Sequence, residues 1–206
     1  MLTVAHRVEN GGKGEDRLLV DHYGARTLAI VADGAGGMGG GAVAAEMACS
    51  LMAQSMRTTI AGTPEFWARC LFDVDQALVR QGSAGQCTAV VVEISENGVS
   101  GASIGDSGAW MITSREILNL TERQRRKPLL GSGEASPVCF GPVEFSGRLL
   151  LATDGLFKYA ARHNIAQRAM ASSVNNAVDR LVTGVRLPSG ALQDDVGIIL
   201  LEYVVE

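Results

Sequence analysis

Hydrophobic and polar positions along this chain follow two periods in turn. Short apolar runs bounded by turn residues come first. Leu2 to Arg7, Leu18 to Val20 and Thr27 to Ala32 read as strands, with Asp21 to Ala25 as the hairpin turn between the last two. Ala42 to Thr59 is then rich in Ala, Met and Leu and free of Pro and Gly, which predicts a helix. Thr63-Pro64-Glu65 reads as an N-cap, a proline at the first helical position and an acid in the first turn of a second helix running to about Gln81. Strands return at Cys87 to Ile94 and Val99 to Ile104, around the turn Ser95-Glu96-Asn97-Gly98, and again at Ala109 to Thr113, Ile117 to Leu120 and Phe145 to Thr153. Between them, Thr121 to Pro142 has no clean period and carries Pro128, Pro137 and Pro142, so it reads as a loop-rich excursion. Leu156 to Gly184 is mostly helical, in two pieces, and Val196 to Val205 is a final strand.

The middle strands are joined by hairpin-length turns, so the pairing is expected to be mainly antiparallel and the class α+β. That order gives the acidic residues a common address. Asp33, Asp106 and Asp154 follow the C-terminal ends of apolar runs, whereas Glu15, Asp16 and Asp194 precede the N-terminal ends of others. Antiparallel neighbours bring opposite ends together, so all six fall at one sheet edge. Clustered carboxylates repel one another unless a cation neutralises them, which points to a hard-metal site.

The chain has 206 residues, 47% of them hydrophobic and 19% charged, enough for one domain with a sizeable core. The formal net charge of -4 and the pI near 5.4 argue against nucleic acid as the main partner. No apolar run approaches the roughly 20 residues that span a bilayer, and Met1 to Asn10 lacks a signal-peptide core. Cys49, Cys70, Cys87 and Cys139 lie far apart with no C-x-x-C pair, which favours reduced thiols and a cytoplasmic location over a thiolate zinc site. The segment Gly34 to Gly41 holds six glycines and leads into a helix. It has no G-x-x-x-x-G-K-[ST] phosphate loop, which disfavours a nucleotide cradle, and the bland alternative is a strand-to-helix turn with Asp33 as a solvated cap.

Taken together, Glu15-Asp16, Asp33-Gly34-x-Gly36-Gly37, Gly85-x-x-Thr88-Ala89, Gly105-Asp106-Ser107, Thr153-Asp154-Gly155-Leu156 and Asp194-Asp195 occur in the order of the metal-dependent protein phosphatases, and the chain resembles that protein phosphatase 2C family over nearly its whole length. The resemblance implies a four-layer αββα sandwich, with two mainly antiparallel sheets flanked by helices, forming a single catalytic domain over 1–206 with a flap excursion at 121–146. It implies two Mn²⁺ or Mg²⁺ ions at the sandwich edge. By residue match Asp33 would bridge both. Asp154 and Asp194 would hold one, and Glu15 and the Gly34 carbonyl the other, with Asp16 counted among the metal-site residues. Asp106 matches a ligand of a weaker third ion. Asp33 and Asp154 would be the catalytic carboxylates, and a water bridging the two ions would attack the phosphoserine or phosphothreonine.

This chain departs from the family's pattern at several positions. Many relatives carry a phosphate-binding Arg shortly before the Glu-Asp pair. Here the stretch is Asn10-Gly11-Gly12-Lys13-Gly14, with Lys13 the only nearby cation and Arg7 further back. Ala35 stands where eukaryotic relatives often have a His, Gly108 where an Arg is usual, and Lys158 where an Asp often helps to hold the third ion. The run Arg123, Arg125, Arg126 and Lys127 lies in the excursion, as a solvated charged loop or as a reader of acidic substrate segments. The resemblance therefore implies a cytoplasmic metal-dependent Ser/Thr phosphatase acting on a phosphorylated protein, the product of a cognate Ser/Thr kinase. The rival is a catalytically weak or dead relative that binds phosphoproteins as a regulatory module.

Overall fold

A computed structural model describes residues 1–35, 40–82, 85–171 and 173–203. In chain order the first elements are β1 (Leu2–Glu9), β2 (Arg17–Tyr23), β3 (Arg26–Ala32), β4 (Gly34–Ala35), α1 (Gly40–Thr58) and α2 (Pro64–Gln81). A run of strands follows: β5 (Gln86–Cys87), β6 (Ala89–Ser95), β7 (Gly98–Ile104), β8 (Gly108–Ile112), β9 (Ile117–Asn119), β10 (Val138–Val143) and β11 (Arg148–Ala152). The chain closes with α3 (Asp154–Phe157), α4 (Arg162–Ala169), α5 (Val174–Thr183) and β12 (Val196–Tyr203). One sheet has the order β1-β12-β11-β8-β9 and the other β10-β7-β6-β3-β2, with β4 and β5 as a small separate pair. Every strand pairing among the described residues is antiparallel.

The central strands read as unbroken apolar runs because they are buried on both faces. Along β11, Leu149 and Leu151 pack between the sheets with Ala29, Val31, Val90, Val92, Ile199 and Leu201. The intervening Leu150 and Ala152 face the other way, onto Leu156, Ile165, Val178 and Leu181 of α3, α4 and α5. Likewise β3 sends Ala29 and Val31 between the sheets and Leu28, Ile30 and Ala32 onto Met52 of α1 and Trp67 and Leu71 of α2. The result is helices, sheet, sheet, helices: the four-layer αββα sandwich. Each fully buried Leu, Ile or Val in these clusters contributes about 2 kcal/mol by leaving water.

Helix α2 starts where the capping pattern says. The Thr63 hydroxyl accepts from the Phe66 N–H at 3.2 Å, Pro64 is the first helical residue, and Gly82 ends the helix at φ 70°, its N–H donating to the Val79 carbonyl. Two readings need correction. The stretch from Leu156 to Gly184 forms three helices: α3 starts at Asp154 and ends at Phe157, α4 runs over Arg162–Ala169, and α5 begins at Val174. The excursion contains a strand, β10, paired with β7 at the edge of its sheet. Its register shifts between Phe140 and Val143, where Gly141-Pro142 interrupts the alternation that would have marked it. The rest of the excursion is irregular but anchored. The buried carboxylate of Asp75 on α2 accepts the N–H groups of Gly131 at 2.7 Å, Gly133 at 3.0 Å and Ala135 at 3.3 Å, and Leu130 pairs with Cys87.

Candidate active site

The register explains why the acidic residues meet. Arg17 pairs with Ala32, so Asp16 enters β2 beside the exit of β3 at Asp33. Ala89 pairs with Ile104, so β7 delivers Gly105-Asp106 next to Thr88. Ala152 pairs with Ile198, so β11 delivers Asp154 next to the Asp194-Asp195 entry of β12. Both sheets end on one edge, and a cavity of about 730 Å³ opens there. Glu15, Asp33, Asp106, Asp154 and Asp194 line it, together with Gly34 and Ala35.

Contacts from neighbouring strands and from α1 hold Asp33, Gly34 and Glu15 in place. The Asp33 N–H donates to Thr88 Oγ1 at 3.1 Å, its carbonyl accepts the Thr88 N–H at 2.8 Å, and Thr88 Oγ1 shares a 2.6 Å hydrogen bond with Ser107 Oγ. Gly34 packs on the start of α1. A Cβ there would lie 2.3 Å from the Gly41 carbonyl carbon, and one on Gly41 would lie 2.6 Å from Glu15 Oε1. The Glu15 carboxylate thus rests against the first turn of a helix, where the dipole favours a negative charge. Thr153 ties three strands together: its hydroxyl donates to Asp16 Oδ2 at 2.7 Å and accepts the Gly197 N–H at 2.8 Å.

Asp16 itself does not line the cavity. It is only 2% exposed, and its Oδ1 is buried without a hydrogen-bond partner. Its neighbour in role is Asp195, which the sequence reading left without one. The Asp195 carboxylate accepts the N–H groups of Gly11 at 2.7 Å, Glu15 at 2.8 Å and Lys13 at 3.3 Å, and so shapes the glycine-rich loop that carries Lys13 and Glu15. The signal was present in that loop, whose successive donors need an acceptor.

Four cations share the cavity wall: Lys13, Arg126, Lys127 and Lys158. Lys13 Nζ lies 3.5 Å from Asp194 Oδ1 and Lys158 Nζ 3.9 Å from Asp194 Oδ2. Arg126 Nη2 donates to Asp106 Oδ2 at 2.7 Å. Arg7 does not reach the site, since it pairs with Glu9 and Asp179 on the exposed surface. Arg123 and Arg125 are not among the lining residues, so the basic run is divided between surface and site.

The chemistry of this cavity suits a hard divalent cation. Its carboxylate and carbonyl oxygens are the ligands such ions prefer. Burial, then the charges of Asp16, Asp154, Asp194 and Asp106, push the Asp33 carboxyl up to about 8. Burial, partly offset by the Thr153 hydrogen bond, pushes Asp16 up to about 7. Asp154 is also raised, by burial and then by Asp106 and Asp194, with Lys158 and Lys13 opposing. A cation would relieve this strain and give the orphaned Asp16 oxygen a charge to face. Among the described residues no three His, Cys, Asp or Glu side chains stand close enough as a group to hold one ion unaided.

A family model described as protein phosphatase 2C matches residues 5–128, more than half of the chain. The chain belongs to the protein phosphatase 2C family. It is thus a phosphoprotein phosphatase by family, and the solved structures it resembles agree in fold. The catalytic domain of the serine threonine protein phosphatase PstP, solved in complex with 2 manganese ions, is 21% identical with a TM-score of 0.84, and 99% of each chain is covered. The serine/threonine phosphatase PstP/Ppp of Mycobacterium tuberculosis is 20% identical, with a TM-score of 0.85 and 99% of each chain covered. Stp1 from Staphylococcus aureus is 21% identical, with a TM-score of 0.85 over 100% of this chain and 96% of that one. No curated protein matches the chain. The glycine segment of this phosphatase also spells G-x-G-x-x-G over Gly34–Gly39, of which Gly36 to Gly39 lie outside the described residues. A dinucleotide site needs that motif after a parallel strand in a βαβ unit, and β3 is antiparallel to both neighbours.

Proposed function

We propose that this phosphatase hydrolyses phosphoserine and phosphothreonine in proteins, using two Mn²⁺ or Mg²⁺ ions held at the sandwich edge. The observation that carries the reading is the convergence of Asp33, Asp154, Asp194 and Glu15, with Gly34, on one cavity between the strand ends of two sheets. By the family match Asp33 would serve both ions, Asp154 and Asp194 one, and Glu15 with the Gly34 carbonyl the other, with waters completing each set of ligands. Asp16 lies behind them as a buried counter-charge, and Asp33 and Asp154 are the carboxylates on which turnover depends. When bound, the ions would supply an activated water and neutralise charge on the phosphoryl oxygens. The chain's own part is to position. Asp195 shapes the loop that presents Lys13 to the substrate phosphate, and Thr88 and Ser107 fix the backbone at Asp33. Asp106 would take a third ion only weakly, because Arg126 already bonds it and Lys158 stands across the same cavity.

The whole chain, 1–206, acts in this reading as one catalytic domain with 121–146 as a flap, in the cytoplasm, opposing a Ser/Thr kinase. No helix among the described residues is long and apolar enough to cross a membrane. One observation favours a second reading, that of a weak or inactive phosphoprotein-binding module: Lys13 and Lys158 flank both oxygens of Asp194. Hydrolysis of p-nitrophenyl phosphate decides between them. Turnover that requires Mn²⁺ and stops in chelator supports the enzyme. Turnover that persists fully in chelator overturns the metal mechanism, and metal binding without turnover favours the module.

A further inference from the structure

The site as described lacks an arginine at the loop before Glu15, yet a phosphate dianion must be held against five carboxylates. The structure supplies a guanidinium from the opposite wall. Arg126 lines the cavity, its side chain is 79% exposed at the mouth, and one of its N–H groups is engaged by Asp106 at 2.7 Å. A guanidinium carries five donors in a planar fork, so one bond to a carboxylate leaves a face of the fork available to a tetrahedral oxyanion. The lysines of the cavity are point charges and cannot match that geometry.

Arg126 is also held where it stands. The Gly105 N–H donates to the Arg125 carbonyl at 2.8 Å, and Gln124 Nε2 donates to the Ser107 carbonyl at 2.6 Å. These two bonds clasp the backbone on the N-terminal side of Arg126 to the loop that carries Asp106, and the Asp106 carboxylate then fixes the side chain. A guanidinium supported in this way loses less freedom on gripping a ligand than one on an unattached loop.

We propose that Arg126, tethered by Asp106, grips the phosphoryl group of the substrate and does the work of the arginine missing before Glu15. The assignment rests on the phosphatase reading above. Its test pairs steady-state kinetics on a phosphoserine peptide with calorimetric binding of inorganic phosphate, both at micromolar Mn²⁺, for wild type, Arg126→Ala, Arg126→Lys and Asp106→Asn. Arg126→Ala should raise KM and weaken phosphate binding together by about tenfold, the loss of one charge-assisted contact, with kcat falling less and the tight Mn²⁺ sites unchanged. Arg126→Lys should recover part of the loss, and Asp106→Asn, which loosens the tether, should fall between wild type and Arg126→Ala. An active wild type whose KM and phosphate affinity ignore both Arg126 variants overturns the assignment alone. A wild type that binds Mn²⁺ but turns over no phosphomonoester overturns the phosphatase reading, and this assignment with it.

Discussion

Among the acidic residues of the edge, position in the hydrogen-bond network separates those suited to hold ions from those that hold the protein. Asp195 has its carboxylate occupied by three backbone N–H groups, and Asp16 gives one oxygen to Thr153. Asp33 and Asp154 face the cavity, and each is pushed toward protonation by burial and by its acidic neighbours. Removing either would take away transition-state charge stabilisation while relieving repulsion in the fold. Asp33→Ala and Asp154→Ala should therefore each lower kcat by roughly a hundredfold or more, and neither should lower the melting temperature of the metal-free protein. A variant that keeps wild-type kcat in Mn²⁺ would show that its carboxylate is not part of the machinery. The doublet Asp194-Asp195 was visible in the sequence, and the family match singled out Asp194, but the residues alone did not say which member faces the cavity. That depends on which carboxylate the Gly11–Glu15 loop claims, a contact more than 180 positions away in the chain.

At the scale of elements, local signals predicted local structure well and long-range anchoring poorly. Thr63-Pro64-Glu65 marked the start of α2 because capping is decided within one turn. The apolar runs at 27–32 and 149–152 marked strands because burial on both faces leaves no polar position to confuse the period. The strand β10 escaped notice because an edge strand alternates only weakly and Gly141-Pro142 breaks the run. The anchor of the excursion, Asp75, was not legible because it sits on a helix over fifty residues earlier. Asp75 is 0% exposed, and its removal would leave three backbone N–H groups of the excursion without their acceptor. Asp75→Ala should cost about 3 kcal/mol in urea unfolding and should expose the segment around Gly131–Ala135 to proteolysis under native conditions. Unchanged stability together with an unchanged cleavage pattern would mean that the excursion holds itself in place.

For the whole molecule, the two sheets and four layers do one thing that no single motif could: they carry five carboxylates from distant segments to one rim and bury part of that charge. The sequence made this legible through the order of its acidic residues, because antiparallel pairing converts order into proximity. The family match put Lys13 and Lys158 near the site, but whether the basic run belongs to surface or site stayed open, since Arg126 and Lys127 reach the cavity only through folding of the excursion. The collected charge has a thermodynamic consequence. Asp33 and Asp16 have folded-state values of about 8 and about 7, above the ordinary value near 4 that they regain on unfolding. Between those limits the native state binds more protons than the unfolded state, so its stability falls as pH rises. The metal-free protein should be most stable at the acid end of that window and lose melting temperature progressively up to about pH 8, above which these two groups add no further slope. A divalent cation binds the ionised carboxylates, so it competes with those protons and favours the folded state more as pH rises. Melting curves recorded from pH 5 to pH 9 in chelator should therefore slope downward, and the same series in saturating Mn²⁺ should lie higher and lose the slope. A metal-free series that gains stability from pH 5 to pH 8 would show that the carboxylates of this edge do not repel one another in solution, and it would remove the electrostatic ground on which the metal site was inferred.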